Sequence, residues 1–247
     1  MTIRFLNCFT CSARVPPRWR AGALCLLVET DQGLLLVDTG PGQEDYSRPP
    51  AVMRALQIAT RMPMRPEEAA ARQVANLGYK RQDVRHIVLT HMHFDHCGGL
   101  PDFPSATVHV HRREYEAFRG LRHHWLDVGY VRRHAAHKPQ LVLYGEAAES
   151  WFHFASIPLA FEPAIWLVPL FGHTQGHCGI VVGTDSGWLF HVGGAAPIGF
   201  TEDVPHALAR LIVGPHLGRL RAFRAAHPEI LMTTGHMPLD FFEQQTA

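Results

Sequence analysis

The stretch LTHMHFDHCGGL, residues 89–100, limits what this chain can become more than any other. His91, His93, Asp95 and His96 fall within six positions, directly after the apolar segment RHIVLT at 85–90. RHIVLT reads as a buried strand, so the histidines are delivered at a strand end. His91 and His93 are spaced i, i+2, and in an extended segment such residues point to one side. They can therefore reach one metal ion together. Asp95 is expected to continue that alternation and His96 to turn away with the loop, while Gly98 and Gly99 give the backbone freedom for a tight exit. A solvated polar loop is the alternative, but it leaves unexplained the histidines at other strand ends.

Those other ends are visible along the chain. GLLLVDTG, 33–40, closes on Asp38, and across DQG it forms an expected hairpin with ALCLLVET, 23–30. AIWLVPL, 164–170, leads into FGHTQGHCG, which carries His173 and His177. GIVVGT and GWLFHVG, the latter with His191, read as a second hairpin, and EILMTTGH as a strand ending at His236. Ile3–Cys8, ATVHVH at 106–111, QLVLYG and WFHFASI are further strand candidates. RPEEAAARQVANLGYK reads as a helix with Pro66 in its first turn and Gly78 past its last, and Ala51–Thr60 as a shorter one. Strand ends brought to one edge make a rigid platform for a site.

The 247 residues are 47% hydrophobic, enough for one large domain over 1–247, and no linker or repeat divides them. Lys+Arg 23 against Asp+Glu 22 argues against nucleic acid as a partner, because binding it needs a basic face. No apolar run is long enough to span a membrane, and MTIRFLNCFT lacks the pattern of a signal peptide. With five scattered cysteines, this implies reduced thiols and a cytoplasmic location. Cys8 and Cys11 in CFTC read as structural thiols, and Cys97 and Cys178 as small buried residues. Monomer and homodimer are equally compatible with the sequence.

THMHFDHCGG, GHTQGH and the LVDTG strand resemble the signature segments of the metallo-β-lactamase-fold hydrolase superfamily. The HFDH form followed by two glycines is similar to the N-acyl-homoserine lactonase branch. The resemblance implies a mixed α/β (α+β) chain folded as a four-layer αββα sandwich with its site at one edge of the two sheets. It further implies that His91, His93 and His173 hold a first metal ion, that Asp95, His96 and His236 hold a second, and that Asp38 supports the ligand loop from behind. His177 and His191 read as hydrogen-bonding supports. Tyr46, Phe94, Trp125 and Phe200 are candidates to line a substrate pocket, and the His-rich residues 120–140 to form a lid.

The resemblance fails at three points, the first of them at the metal bridge. After WLFHVG the family places an Asp that bridges both ions, and this chain has Gly194. The lactonase branch also has a Tyr three residues later, where this chain has Pro197, and His236 is followed by Met-Pro rather than Asp. Two divalent ions ~3.5 Å apart repel by on the order of 20 kcal/mol before ligands compensate, taking an effective dielectric near 20. Without the bridge, one zinc should bind tightly while the second position stays weak or empty; restoring Asp at 194 should raise metal content. Glu202 and Asp203 are the nearest substitutes for the bridge. The expected activity is zinc-dependent hydrolysis of a small-molecule ester, lactone or amide by a metal-bound hydroxide, with Asp95 orienting the water or carrying a proton. A catalytically impaired binding protein on the same scaffold is the alternative, and β-lactam hydrolysis a side activity. His93 disfavours an iron-based oxygen-reducing relative, since that branch has Glu there.

Overall fold

The computed structural model describes residues 2–13, 19–60, 62–120, 125–200 and 206–245. Their first sheet runs in the order β1 (Ile3–Ala13), β2 (Trp19–Thr30), β3 (Gly33–Val37), β4 (Val84–Val88), β5 (Thr107–His111), β6 (Gln140–Tyr144). The second contains β7 (Glu149–Trp151), β8 (Phe154–Leu159), β9 (Ile165–Pro169), β10 (Cys178–Thr184), β11 (Gly187–His191) and β12 (Leu231–Thr233), adjacent in that order. A short β13 (His236–Pro238) pairs antiparallel with β2 and so belongs to the first sheet. The helices are α1 (Gln43–Ser47), α2 (Ala51–Thr60), α3 (Ala70–Asn76), α4 (Phe94–Cys97), α5 (Arg112–Arg119), α6 (His206–Val213), α7 (Leu217–Ala226) and α8 (Leu239–Gln244).

Side-chain alternation builds the layers. In β2, Leu24, Leu26 and Val28 face the second sheet and meet Leu167, Ile180 and Val182. Cys25 and Leu27 face the other way, against Ala70 and Val74 of α3 and Phe118 of α5. From the second sheet, Val168, Val181 and Phe190 turn outward to Val213, Leu220 and Phe223 of α6 and α7. The order is helix, sheet, sheet, helix, as the resemblance implies. Each fully buried Leu, Ile or Val contributes about 1.5–3 kcal/mol, so the middle of the sandwich can hold a polar, strained edge in place.

That edge is set by strand direction. β3, β4, β5 and β6 are parallel, so their C-terminal ends lie together. In the second sheet β11 runs parallel to β12, and β9 runs the same way because both are antiparallel to β10. Asp38, His91, His173 and His191 all stand at or just after such ends.

Two expectations change. EILMTTGH is not one strand: β12 stops at Thr233, the chain turns at Thr234 and Gly235, and His236 opens β13 in the opposite sheet. A single strand could not pair with β11 and then with β2 without that turn. Nor does the alternation of the histidine loop persist to Asp95, because α4 begins at Phe94 and winds Asp95 and His96 onto one helical turn. Among the described residues, no helix is long and apolar enough to cross a membrane.

Candidate metal centre

His91 follows β4, and its neighbour Thr90 is tied down by Asp38. The Thr90 N–H donates to Asp38 Oδ1 at 2.8 Å and its hydroxyl to Asp38 Oδ2 at 2.7 Å. His93 remains extended, with φ −68° and ψ 156°, before α4 starts. His173 follows β9 and meets both rings: the centroid distances are 4.6 Å for His91–His93, 4.8 Å for His91–His173 and 5.0 Å for His93–His173. One ring nitrogen from each lies within 4.8 Å of the other two. A second group with the same spacing comprises Asp95, His96 and His236. The His91 and His96 rings, 4.1 Å apart, join the two groups.

The outward ring nitrogens are already engaged, which leaves the inward ones for a ligand. His173 Nδ1 is 2.8 Å from the carbonyl oxygen of Ile212, and His96 Nδ1 is 2.7 Å from Asp38 Oδ2. His91 Nδ1 is 3.0 Å from the Thr90 hydroxyl, and its Nε2 is buried with no partner among the described residues. An unpartnered buried nitrogen aimed at two further imidazoles fits a borderline metal ion. At the second group, His236 Nε2 lies 3.2 Å from Asp95 Oδ2.

A family model described as the metallo-beta-lactamase superfamily matches residues 19–236. The chain belongs to that superfamily. A probable metallo-hydrolase of Mycobacterium tuberculosis is 42% identical over 197 residues, which is 78% of this chain and 62% of the relative. The chain thus spans less than two thirds of that relative's length. An N-acyl homoserine lactonase of Bacillus cereus is 33% identical over 94 residues, 38% of each protein. Among solved structures, an N-acyl homoserine lactone hydrolase with the product N-hexanoyl-L-homoserine at its catalytic metal centre aligns with TM-score 0.71 and 22% identity. That alignment covers 99% of this chain and 94% of the other, so the two share a fold.

Within this metallo-beta-lactamase member, Asp38 is wholly buried, and His96 and the nearby His191 face it. Burial alone would raise its pKa, but the hydrogen-bonded His96 and the nearby His191 outweigh burial and hold it well below the usual carboxylate range. His191 Nδ1 also lies 3.0 Å from the Thr233 hydroxyl. His177 Nε2 accepts the Gly194 N–H at 2.9 Å, which engages that nitrogen in supporting the turn. Gly194 itself lies against His173: a Cβ added there would come within 2.7 Å of His173 Nε2. With Nδ1 of that ring anchored to Ile212, any side chain at 194 must displace a candidate ligand. Restoring Asp at 194 therefore disturbs the first cluster while it adds a carboxylate.

Other candidates sit elsewhere. Tyr46 and Phe94 pack in one apolar cluster with Phe9 and Met53, and the Tyr46 hydroxyl donates to the Cys8 carbonyl at 3.0 Å. Phe200 is buried in the packing between the second sheet and its helices, with the Arg224 guanidinium over its ring. These three are buried among core residues in this structure. Trp125 opens a short turn, Trp125–Gly129, and its side chain lies outside the described part. His123, His124, Glu202 and Asp203 lie outside the described residues; the expected lid is described from residue 125 onward, and its His134 is buried with Nε2 3.0 Å from Asp45 Oδ1. Cys8 and Cys11 are both free thiols within β1, in unlike surroundings. A bulge between Asn7 and Thr10 breaks the register of β1, so Cys8 is buried while Cys11 Sγ stands 3.6 Å from His236 Nδ1. Sequence spacing carries no sign of that bulge.

The two clusters differ in their protons. Burial holds His91 well below the ordinary histidine value, and it lowers His173 to about 4. At His236 burial also favours the neutral ring, but Cys11 and Asp95 outweigh it and raise the value to about 10. At neutral pH an ion entering the second cluster must displace a proton from His236, whereas His91 and His173 are already neutral. Second-ion affinity should therefore climb about tenfold per pH unit between pH 6 and 9, with first-ion affinity changing far less. Calorimetric zinc titrations at several pH values measure this, and a second affinity flat in pH would sink the assignment of His236.

Proposed function

We propose that this protein is a zinc-dependent hydrolase of a small-molecule ester, lactone or amide, with one ion held tightly by His91, His93 and His173. The observation that carries this reading is the convergence of three imidazoles, with His173 anchored through Nδ1 and His91 Nε2 left without a partner. A zinc ion held by three imidazoles supplies an activated water with a pKa near ~7 and Lewis acidity toward a carbonyl. Asp95 is held well below the usual carboxylate range, since the charge on His96 and the hydrogen bond from His236 outweigh its burial. It is therefore an anion at neutral pH, fixed beside the cluster, where it would accept a hydrogen bond from the attacking water and orient it. His236, 3.2 Å from Asp95 Oδ2, pairs with that carboxylate and holds it in place.

Gly194 gives the second position its weakness in this reading. Among the described residues Asp95 is then the one carboxylate grouped with the candidate ligands, and the repulsion between two ions goes largely unopposed. The same glycine favours the second reading, a binding protein on this scaffold that has lost turnover. The lactonases among the relatives make lactones the first substrates to try.

Metal analysis after exhaustive dialysis should return one zinc per chain, and two tightly held ions would overturn the one-ion reading. The zinc-loaded protein should hydrolyse at least one member of a panel of acyl lactones, aryl esters and amides. No turnover across that panel, with zinc bound, would favour the binding protein.

A further inference from the structure

Glu114 lies in the first turn of α5 and is wholly buried, and its hydrogen bonds go to the neighbours of the candidate ligands. Its two oxygens accept four hydrogen bonds. Oε1 takes the Met92 N–H at 2.8 Å and the Tyr130 hydroxyl at 3.1 Å. Oε2 takes the Thr174 hydroxyl at 2.7 Å and the Gly176 N–H at 3.0 Å. A carboxylate has about four lone-pair sites, so this one is saturated by donors.

The identity of the donors matters more than their number. Met92 separates His91 from His93. Thr174 follows His173, and Gly176 precedes His177. Tyr130 pairs with His93 through a backbone bridge, and its ring lies 5.2 Å from the His93 ring. The His91–His93 segment leaves the first sheet, and the His173 segment leaves the second. Together with the backbone bond from the Cys178 N–H to the Thr90 carbonyl at 2.9 Å, Glu114 ties these two segments side by side. The approach is close: a Cβ at Gly176 would collide with the backbone of Glu114, so GHTQGH needs its second glycine where α5 presses on it.

We propose that Glu114 is the positioning residue of the three-imidazole cluster, setting the distance of His91 and His93 from His173. This rests on the reading of those three histidines as one metal site. A metal cluster tolerates ligand displacements of only ~0.2 Å, and the two segments come from different sheets, so a shared buried acceptor fixes what neither strand can fix alone. Glutamine has the same shape but replaces one oxygen with an NH2 donor. That amide would face either the Met92 or the Gly176 N–H, and neither backbone donor can reverse, whereas the two hydroxyls can. Glu114→Gln should therefore keep the fold and spread the cluster.

Cobalt(II) ions titrated into the metal-free protein report the cluster through their visible ligand-field bands, and competition with a chromophoric chelator gives the affinity. Glu114→Gln should weaken the first ion by roughly 10–100-fold, as loss of an outer partner does, and shift its bands. Thr174→Val removes one donor and should weaken it by about fivefold. A variant with an unchanged thermal midpoint in chelator, but changed bands, separates positioning from mere stability. Wild-type affinity and bands in Glu114→Gln would overturn the proposal alone, and if that variant fails to fold, wild-type affinity in Thr174→Val does the same. If the wild type binds no cobalt, the metal reading falls and this proposal with it.

Discussion

His91→Ala is expected to remove tightly held metal and to lower kcat/KM on the best substrate by more than ~100-fold, beyond what loss of an outer-shell partner typically causes. His91 is wholly buried, with its ring at the junction of both clusters. Alanine there leaves two imidazoles, His93 and His173, too few to close a tetrahedral site while keeping a single open position. Neither neighbouring histidine sits in that group: His177 is held through Nε2 by the Gly194 N–H, and His96 belongs with Asp95 and His236. The measurement is paired: metal content after dialysis and hydrolysis by the same preparation. A variant that stays active without metal would sink the metal-dependent reading. A variant that loses metal from a wild type that never turned over would favour the binding protein instead.

The sandwich and the places of its candidate ligands were legible because both rest on patterns with short physical reach. The run LLLV in β3 is apolar throughout because the strand is buried on both faces. The polar residues at strand ends stand out against that background, which marks Asp38, His91, His93 and His173 as candidates. What was missed depends on contacts that spacing does not encode. Glu114 looks like any acidic residue in the first turn of a helix, and only its burial marks it. Cys11 meets His236 across 225 positions, after a bulge that shifts its strand. His236 reaches the second cluster by crossing from one sheet to the other, which a continuous apolar run such as EILMTT hides. Phe94 and Phe200 were candidates for a pocket because aromatic residues near ligands suggest one, yet large rings bury more apolar area inside the core.

Asp38→Ala is expected to destabilise the metal-free protein by about 3–5 kcal/mol, the usual consequence of removing one partner from a buried charged pair. For a chain of this length that is a fall in Tm of roughly 10 °C. The Thr90 N–H and hydroxyl and His96 Nδ1 would all lose their acceptor inside the edge of the sandwich. Asp38 also sits at φ 57°, a left-handed conformation that Asn tolerates and Ala resists. Asp38→Asn therefore separates the two contributions: it keeps the backbone conformation and one acceptor oxygen but removes the charge. The pH dependence has a definite sign. Because the folded-state pKa is depressed, the stability Asp38 supplies is fully present above the unfolded value, ~3.9, and is lost as pH falls through the lower folded value. The wild type should thus lose stability steeply below about pH 4, while Asp38→Asn starts lower and falls less over the same range. Thermal unfolding in chelator across that window measures both slopes. Parallel curves would mean that Asp38 contributes through shape rather than charge, and its pairing with His96 would then no longer explain how the His96 Nε2 is kept facing Asp95.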